Sequence, residues 1–157
     1  MKSILKDILE SPQFVEGTAW KRKQYHVNET VVKSGDPGKS LFFIEQGELR
    51  VTGRVKLDGE KFIQPGVGDL KAGDLFGETC LQVSLPRIAT VIAITEASLV
   101  EINGEKLGDY LDANPAQGYL FYKSLFEIFI GRLNRANHTV ETLMAWGLKA
   151  HDIDQYL

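Results

Sequence analysis

One cysteine in 157 residues, Cys80, leaves no disulfide framework, and a lone thiol fits a reducing cytoplasm. Long apolar runs are missing as well. No stretch approaches the ~20 residues that span a bilayer. The opening, Met1 to Glu10, is charged throughout, whereas a secretory leader needs an unbroken apolar segment. The expectation is a cytoplasmic protein with no membrane partner. An excess of positive charge is absent: 18 Lys and Arg stand against 21 Asp and Glu, a net charge of -3. A dedicated nucleic-acid binder would be basic, so no DNA partner is expected. The only basic run, Lys21-Arg22-Lys23, reads as a solvated turn or strand edge. The three histidines, His26, His138 and His151, lie in different parts of the chain. A metal-dependent barrel enzyme would need clustered histidine and carboxylate ligands. Cys80 has no evident histidine partner, and neither a Walker loop nor a dinucleotide fingerprint occurs. We therefore read the chain as non-enzymatic, with no metal and no cofactor.

What is present divides into three zones, in a length that allows one compact domain plus a long helix. Up to Glu10, Ile4, Leu5, Ile8 and Leu9 recur at helical spacing, which predicts a short amphipathic helix ended by Ser11-Pro12. From Trp20 to Ile102 the chain changes to short apolar runs: 29–33, 40–45, 48–55, 61–65, 88–95 and 98–102. Between them stand Gly35-Asp36-Pro37-Gly38, Gln46-Gly47, Asp58-Gly59, Gly66-Val67-Gly68 and Gly73-Asp74. Many short strands with glycine turns predict an antiparallel barrel or sandwich.

A third zone starts at Asn114-Pro115, where proline suits a helix start, and is expected to end near Gly147. Within it Tyr119, Tyr122, Phe126, Phe129, Leu133, Ala136, Val140 and Leu143 follow at alternating spacings of three and four. That is a heptad seam. Leu120, Leu125, Ile128 and Ile130 add apolar surface beside it. One amphipathic helix covering one core would use these residues; so would a helix that also joins a second copy. The length of the seam and its second apolar face favour the homodimer.

The chemistry concentrates between Phe76 and Val91. Gly77-Glu78 follows a glycine turn, and Thr79 to Gln82 is expected to form one helical turn. The free N–H groups at the start of such a turn favour an anion. Arg87 comes nine residues after Glu78, and its forked guanidinium suits phosphate. A carboxylate cannot share that phosphate but can accept from a sugar hydroxyl. One Glu, one Arg and a helix start describe a phosphorylated ribose.

The order Phe76-Gly77-Glu78, seven intervening positions, then Pro86-Arg87-Ile88-Ala89-Thr90-Val91 resembles the phosphate-binding cassette of cyclic nucleotide-binding domains. Lys33 to Gly47 resembles the paired-glycine hairpin of that family, and Leu70 to Phe76 resembles the lead into its cassette. The likeness is to the sensor domains of kinase regulatory subunits and of bacterial catabolite activators. It implies a mainly β fold with flanking helices: an antiparallel β-roll or jelly-roll barrel with a short N-terminal helix and a long C-terminal helix. Residues 1–113 would form the nucleotide-binding barrel with its N-terminal helix. Residues 114–157 would form the lid and dimerisation helix of the same domain. Too few residues follow Ala145 for a helix-turn-helix unit, so no DNA-binding domain is expected.

The resemblance further implies that Glu78 accepts from the ribose 2′-hydroxyl and that Arg87 holds the cyclic phosphate. Backbone amides near Thr79 and Cys80 would complete the cradle, with Leu75 and Val91 against sugar and base. Phe76, Gly77, Pro86, Ile88 and Ala89 complete the expected ligand site. A hydroxyl after the arginine is what cyclic GMP-selective members use, so Ile88 points to cyclic AMP. Arg132, Asn134, Arg135, Asn137 and Thr139 are the polar candidates for a lid over the base. Cys80 reads as a small buried hydrophobe, with a redox thiol as the minority reading. The implied function is a stand-alone regulatory module in signal transduction, acting on an unknown downstream protein. The competing reading draws on the bulk of Ile88. It makes the domain a degenerate, ligand-free scaffold for dimerisation or protein docking, with Glu78 and Arg87 paired to each other.

Overall fold

The run Leu41-Phe42-Phe43-Ile44 is apolar at every position, so a strand built on it must be covered on both faces. The computed structural model does this with a second sheet on one face and helices on the other. It describes residues 1–53, 55–56, 62–63, 66–81 and 85–150. In chain order the elements are α1 (Lys2–Leu9), β1 (Trp20–Tyr25), β2 (Thr30–Val32), β3 (Ser40–Gln46) and β4 (Glu48–Thr52). Then come β5 (Val55–Lys56), β6 (Phe62–Ile63), β7 (Gly66–Lys71), β8 (Leu75–Phe76) and a 3₁₀ turn at Glu78–Leu81. The chain continues through β9 (Thr90–Ala93), β10 (Ala97–Asn103), α2 (Gly104–Ala113) and α3 (Pro115–Ala150).

All strand pairings are antiparallel: one sheet runs β1-β10-β3-β8, the second β2-β9-β4-β7, and β5 pairs with β6. The described strands thus form a roll of two open sheets rather than a closed barrel. Between the sheets, Phe42, Ile44, Leu49, Phe76, Val91, Ala93 and Leu99 are buried together. The opposite pleat of β3 and β10 presents Leu41, Phe43, Val100 and Ile102 to the helices, where they meet Leu5, Ile8, Leu107, Leu111, Phe121 and Leu125. The two-residue period of the strands divides one apolar run between two cores. The basic run Lys21-Arg22-Lys23 lies on edge strand β1, where Lys21 and Lys23 pair with Glu101 and Arg22 pairs with Glu45. Of the expected run 61–65 only β6 is described, and the Asp58-Gly59 turn and the tail beyond Ala150 lie outside the described residues.

Helix α2 is absent from the sequence reading. Asn103 caps it by accepting from the Lys106 amide at 3.0 Å, and Leu107, Tyr110 and Leu111 are buried at helical spacing. Gly104 and Gly108 look like turn punctuation and obscure that pattern. Helix α3 continues through Gly147 to Ala150 rather than stopping there. Its orientation also differs from the simple covering helix. Phe121 and Leu125 are buried, while the heptad residues Tyr119, Phe126, Leu133, Val140 and Leu143 are exposed. The seam is not spent on the body of this chain.

Candidate functional site

Backbone pairing between two loops builds the cassette. The Gly35-Asp36-Pro37-Gly38 turn lies along Leu85 to Arg87. The Arg87 amide donates to Asp36 O at 2.8 Å, the Gly35 amide to Arg87 O at 2.8 Å and the Gly38 amide to Leu85 O at 3.2 Å. Pro37 and Pro86 face each other in an isolated bridge. Gly38 is needed for this approach, because a Cβ there would stand 2.5 Å from Leu85 O. The hairpin therefore holds Arg87 in place.

The Arg87 side chain turns inward. Its Nη2 donates to Ser40 O at 2.6 Å and its Nη1 to Gly77 O at 3.5 Å. Its guanidinium carbon lies 5.6 Å from the centre of the Phe42 ring, a distance at which a cation is attracted to the ring face. Phe76 stacks on that same Phe42 at 5.0 Å. Gly77 adopts φ +78, and a Cβ on it would meet Arg87 Nη1 at 2.7 Å and Ser40 O at 2.9 Å. Glycine is thus required there for both conformation and space.

Glu78 opens the 3₁₀ turn, one residue earlier than expected, and Gln82 lies outside the described residues. The Cys80 amide turns back to Gly77 O at 3.3 Å rather than outward. Glu78 does not pair with Arg87. Its Oε1 accepts from Arg132 Nη1 of α3 at 2.7 Å, and Arg132 Nη2 donates to the carbonyl of Leu75. The Glu78 side chain is only 9% exposed. Arg132, one of the five polar lid candidates, reaches the cassette carboxylate. Its face was legible: Phe121, Leu125, Ile128 and Arg132 follow at spacings of four, three and four.

Three buried side-chain polar atoms among the described residues lack a hydrogen bond: Glu78 Oε2, Arg87 Nε and Glu101 Oε2. Glu101 Oε2 still lies 2.8 Å from Lys23 Nζ. The other two, an acceptor and a donor, belong to the cassette. A buried group without a partner costs about 1–3 kcal/mol.

The remaining expected residues are dispersed. Leu75 and Val91 are buried, one in each core. Thr79 is exposed, Ala89 half-buried, and Ile88, at 86% exposure, projects into solvent rather than over Arg87. Burial pushes the Cys80 thiol up to about 11, against the pull of Arg87, which leaves little thiolate at neutral pH and disfavours a redox role. An open groove of about 530 Å³ runs between the cassette and α3, lined by Glu78, Thr79, Leu81, Leu85, Tyr122, Leu125, Phe126 and Phe129. Arg87 does not line it.

Comparison with known proteins gives concordant matches. The family described as "Cyclic nucleotide-binding domain" matches residues 22–114. An uncharacterised protein of Mycobacterium tuberculosis is 34% identical over 103 residues, covering 66% of this chain and 19% of that protein. The cAMP-dependent protein kinase regulatory subunit of Dictyostelium discoideum is 31% identical over 102 residues, covering 65% of this chain and 28% of its own length. The chain thus spans less than a third of these curated relatives. Among solved structures, a cyclic nucleotide-binding domain from Methylobacillus flagellatus aligns with TM-score 0.67 at 20% identity, over 75% of this chain and 64% of that one. The Thermus thermophilus catabolite activator protein aligns with TM-score 0.60 at 22% identity, over 85% and 63% respectively. These two likenesses speak for the fold.

Proposed function

The chain belongs to the cyclic nucleotide-binding domain family, and from that premise we propose that it is a regulatory module that binds cyclic AMP in the cassette and signals through α3. The observation that carries this reading is the pair of orphaned buried atoms. Arg87 Nε is a donor in want of an anion, and Glu78 Oε2 is an acceptor in want of a hydroxyl. A ribose cyclic phosphate supplies both. Phe76 stacks on the Phe42 ring that faces Arg87 and Gly77 packs against its guanidinium; in this reading Pro86 and Ala89 flank the arginine, and the turn at Thr79 and Cys80 borders the sugar. Because Arg87 Nε is buried, entry requires the cassette to open locally. Cyclic GMP is the weaker ligand in this reading, since Ile88 offers no hydroxyl.

The exposed seam of α3 supports a homodimer. Leu133, Val140 and Leu143 stand in water at coiled-coil spacing, which a second copy would cover. Sedimentation should then give twice the chain mass, and Leu133→Glu with Leu143→Glu should give a monomer. A monomeric wild type at tens of micromolar would exclude this arrangement.

A second reading, the ligand-free scaffold, draws on Arg87 already holding two carbonyls. Calorimetric titration separates the two. Cyclic AMP should bind once per chain, cyclic GMP more weakly, and Arg87→Ala should lose at least roughly 100-fold in affinity, as removal of a charge-assisted phosphate contact does. An intact fold that gives no heat and no thermal stabilisation with millimolar cyclic AMP or cyclic GMP favours the scaffold.

A further inference from the structure

We propose that Glu101 is a positioning residue for the cassette arginine, acting through Ser40, and that the basic run on β1 holds Glu101 in that role. The proposal rests on the nucleotide reading above. Glu101 is the one charged side chain in β10, a strand otherwise made of Ala97, Ser98, Leu99, Val100, Ile102 and Asn103. It is 18% exposed, and a carboxylate so covered destabilises the fold unless its oxygens are paired. Its Oε2 has the ammonium of Lys23 at 2.8 Å and that of Lys21 at 3.4 Å. Its Oε1 accepts from Ser40 Oγ at 3.1 Å.

Ser40 is also the residue whose carbonyl holds Arg87. It opens β3 opposite Asn103 of β10, but the Asn103 amide turns away to Ala19 O. On the other side, β8 pairs only with Phe42 and Phe43. The Ser40 carbonyl lies past the end of that ladder, and Arg87 Nη2 donates to it at 2.6 Å. A strand end frays unless it is tied down. Two ties hold this one: the Gly104 amide donates to Lys39 O at 2.9 Å, and the Ser40 hydroxyl donates to Glu101. The first fixes the peptide that enters Ser40 and the second fixes its side chain, so the carbonyl that follows keeps its direction.

The consequence falls on Arg87 Nε. With Nη1 on Gly77 O and Nη2 on Ser40 O, the guanidinium plane is fixed at two nitrogens. Nε, buried and without a partner, then points one way. A donor set in advance binds an anion without losing rotamer freedom at that moment. Loosening Ser40 leaves every donor in place but lets the plane swing. Lys21 and Lys23 thus act on the cassette from an edge strand, through β10 and β3.

Calorimetry with cyclic AMP on wild type, Ser40→Ala and Ser40→Thr is the first arm of the test. Ser40→Ala should lose roughly 3- to 10-fold in affinity, the range of one hydrogen bond. Ser40→Thr keeps a hydroxyl and should recover most of that loss. Glu101→Gln keeps an acceptor but loses the charge that recruits Lys23; it should fall between, and it carries the test if the alanine variant does not fold. Placed on Arg87→Lys, whose ammonium cannot span two carbonyls, Ser40→Ala should cost roughly twofold at most. An equal cost in both backgrounds would mean that Ser40 acts through the fold at large, and it would overturn the proposal. So would a Ser40→Ala affinity equal to or above that of wild type. The second arm needs no nucleotide. It follows the Arg87 Nε–H resonance in nitrogen-15 spectra, identified by its loss in Arg87→Lys, which should exchange with water several-fold faster in Ser40→Ala and in Glu101→Gln than in wild type. Equal exchange rates overturn the proposal even where Arg87→Lys binds too weakly to titrate. A wild type that binds no cyclic nucleotide overturns the nucleotide reading, while the exchange arm still decides whether Glu101 and Ser40 hold the arginine.

Discussion

The two halves of α3 are built from similar residues and occupy different surroundings. From Pro115 to Arg132 one stripe is committed: Phe121 and Leu125 are buried among the helices and the outer pleat of the roll, and Arg132 grips the cassette. From Leu133 onward Leu133, Val140, Leu143 and Met144 are exposed. An isolated helix of that length is marginal in water, so its apolar face calls for a partner. The periodicity that identifies a helix does not say which of its stripes meets the body. Here the buried stripe runs beside the heptad seam, and the seam remains available. The transition falls at Arg132, the residue that touches the Glu78 carboxylate.

That contrast can be broken by a pair of truncations. Phe121→Ala empties a fully buried site and should cost about 3–5 kcal/mol in denaturant unfolding. Leu143→Ala, at 61% exposure, should cost less than about 0.5 kcal/mol in dilute monomer. Comparable losses would mean that the distal half is packed after all. Next in size is Gly77→Ala, which disturbs the cassette without touching α3. Its φ of +78 and the 2.7 Å approach to Arg87 predict a loss of about 2 kcal/mol. Amide exchange over 115–131 should keep its protection, and nucleotide binding should fall. If the helix loses protection too, the two regions share more than the Arg132 contact.

A modest effect lies far from both halves and calibrates them. Burial alone would raise the Glu101 carboxyl, yet the Lys23 ammonium 2.8 Å away and the charge of Lys21 hold it below its ordinary value. A carboxyl lowered by folding stabilises above its unfolded pKa, and that contribution is lost as the pH falls through the folded value. Lys23→Ala should therefore cost at most about 1 kcal/mol at neutral pH. The difference from wild type should vanish in acid. A cost that persists in acid would mean that Lys23 acts through packing instead.

Much of this was legible in the chain because local chemistry dictates it. Gly77, Glu78, Pro86 and Arg87 mark the cassette by order and spacing, and the glycine turns delimit most of the strands. The Gly35–Gly38 turn can be read as a hairpin, but its hydrogen bonds to Leu85–Arg87 cross about fifty residues of sequence. Long-range pairing of that kind has no local pattern. The same is true of Glu78 and Arg132: each is an ordinary charged residue until the helix phase brings them together. Helix α2 is hidden in the sequence for the opposite reason, since its glycines resemble punctuation while Asn103 and Leu107-x-x-Tyr110-Leu111 carry the real pattern.

The most direct test of the central claim is a crystal structure grown with cyclic AMP. The account predicts the cyclic phosphate on Arg87, with Nε donating, and the ribose 2′-hydroxyl on Glu78 Oε2 while Arg132 stays on Oε1. Nucleotide bound elsewhere, or a cassette left with both atoms unpaired at saturating ligand, would contradict it.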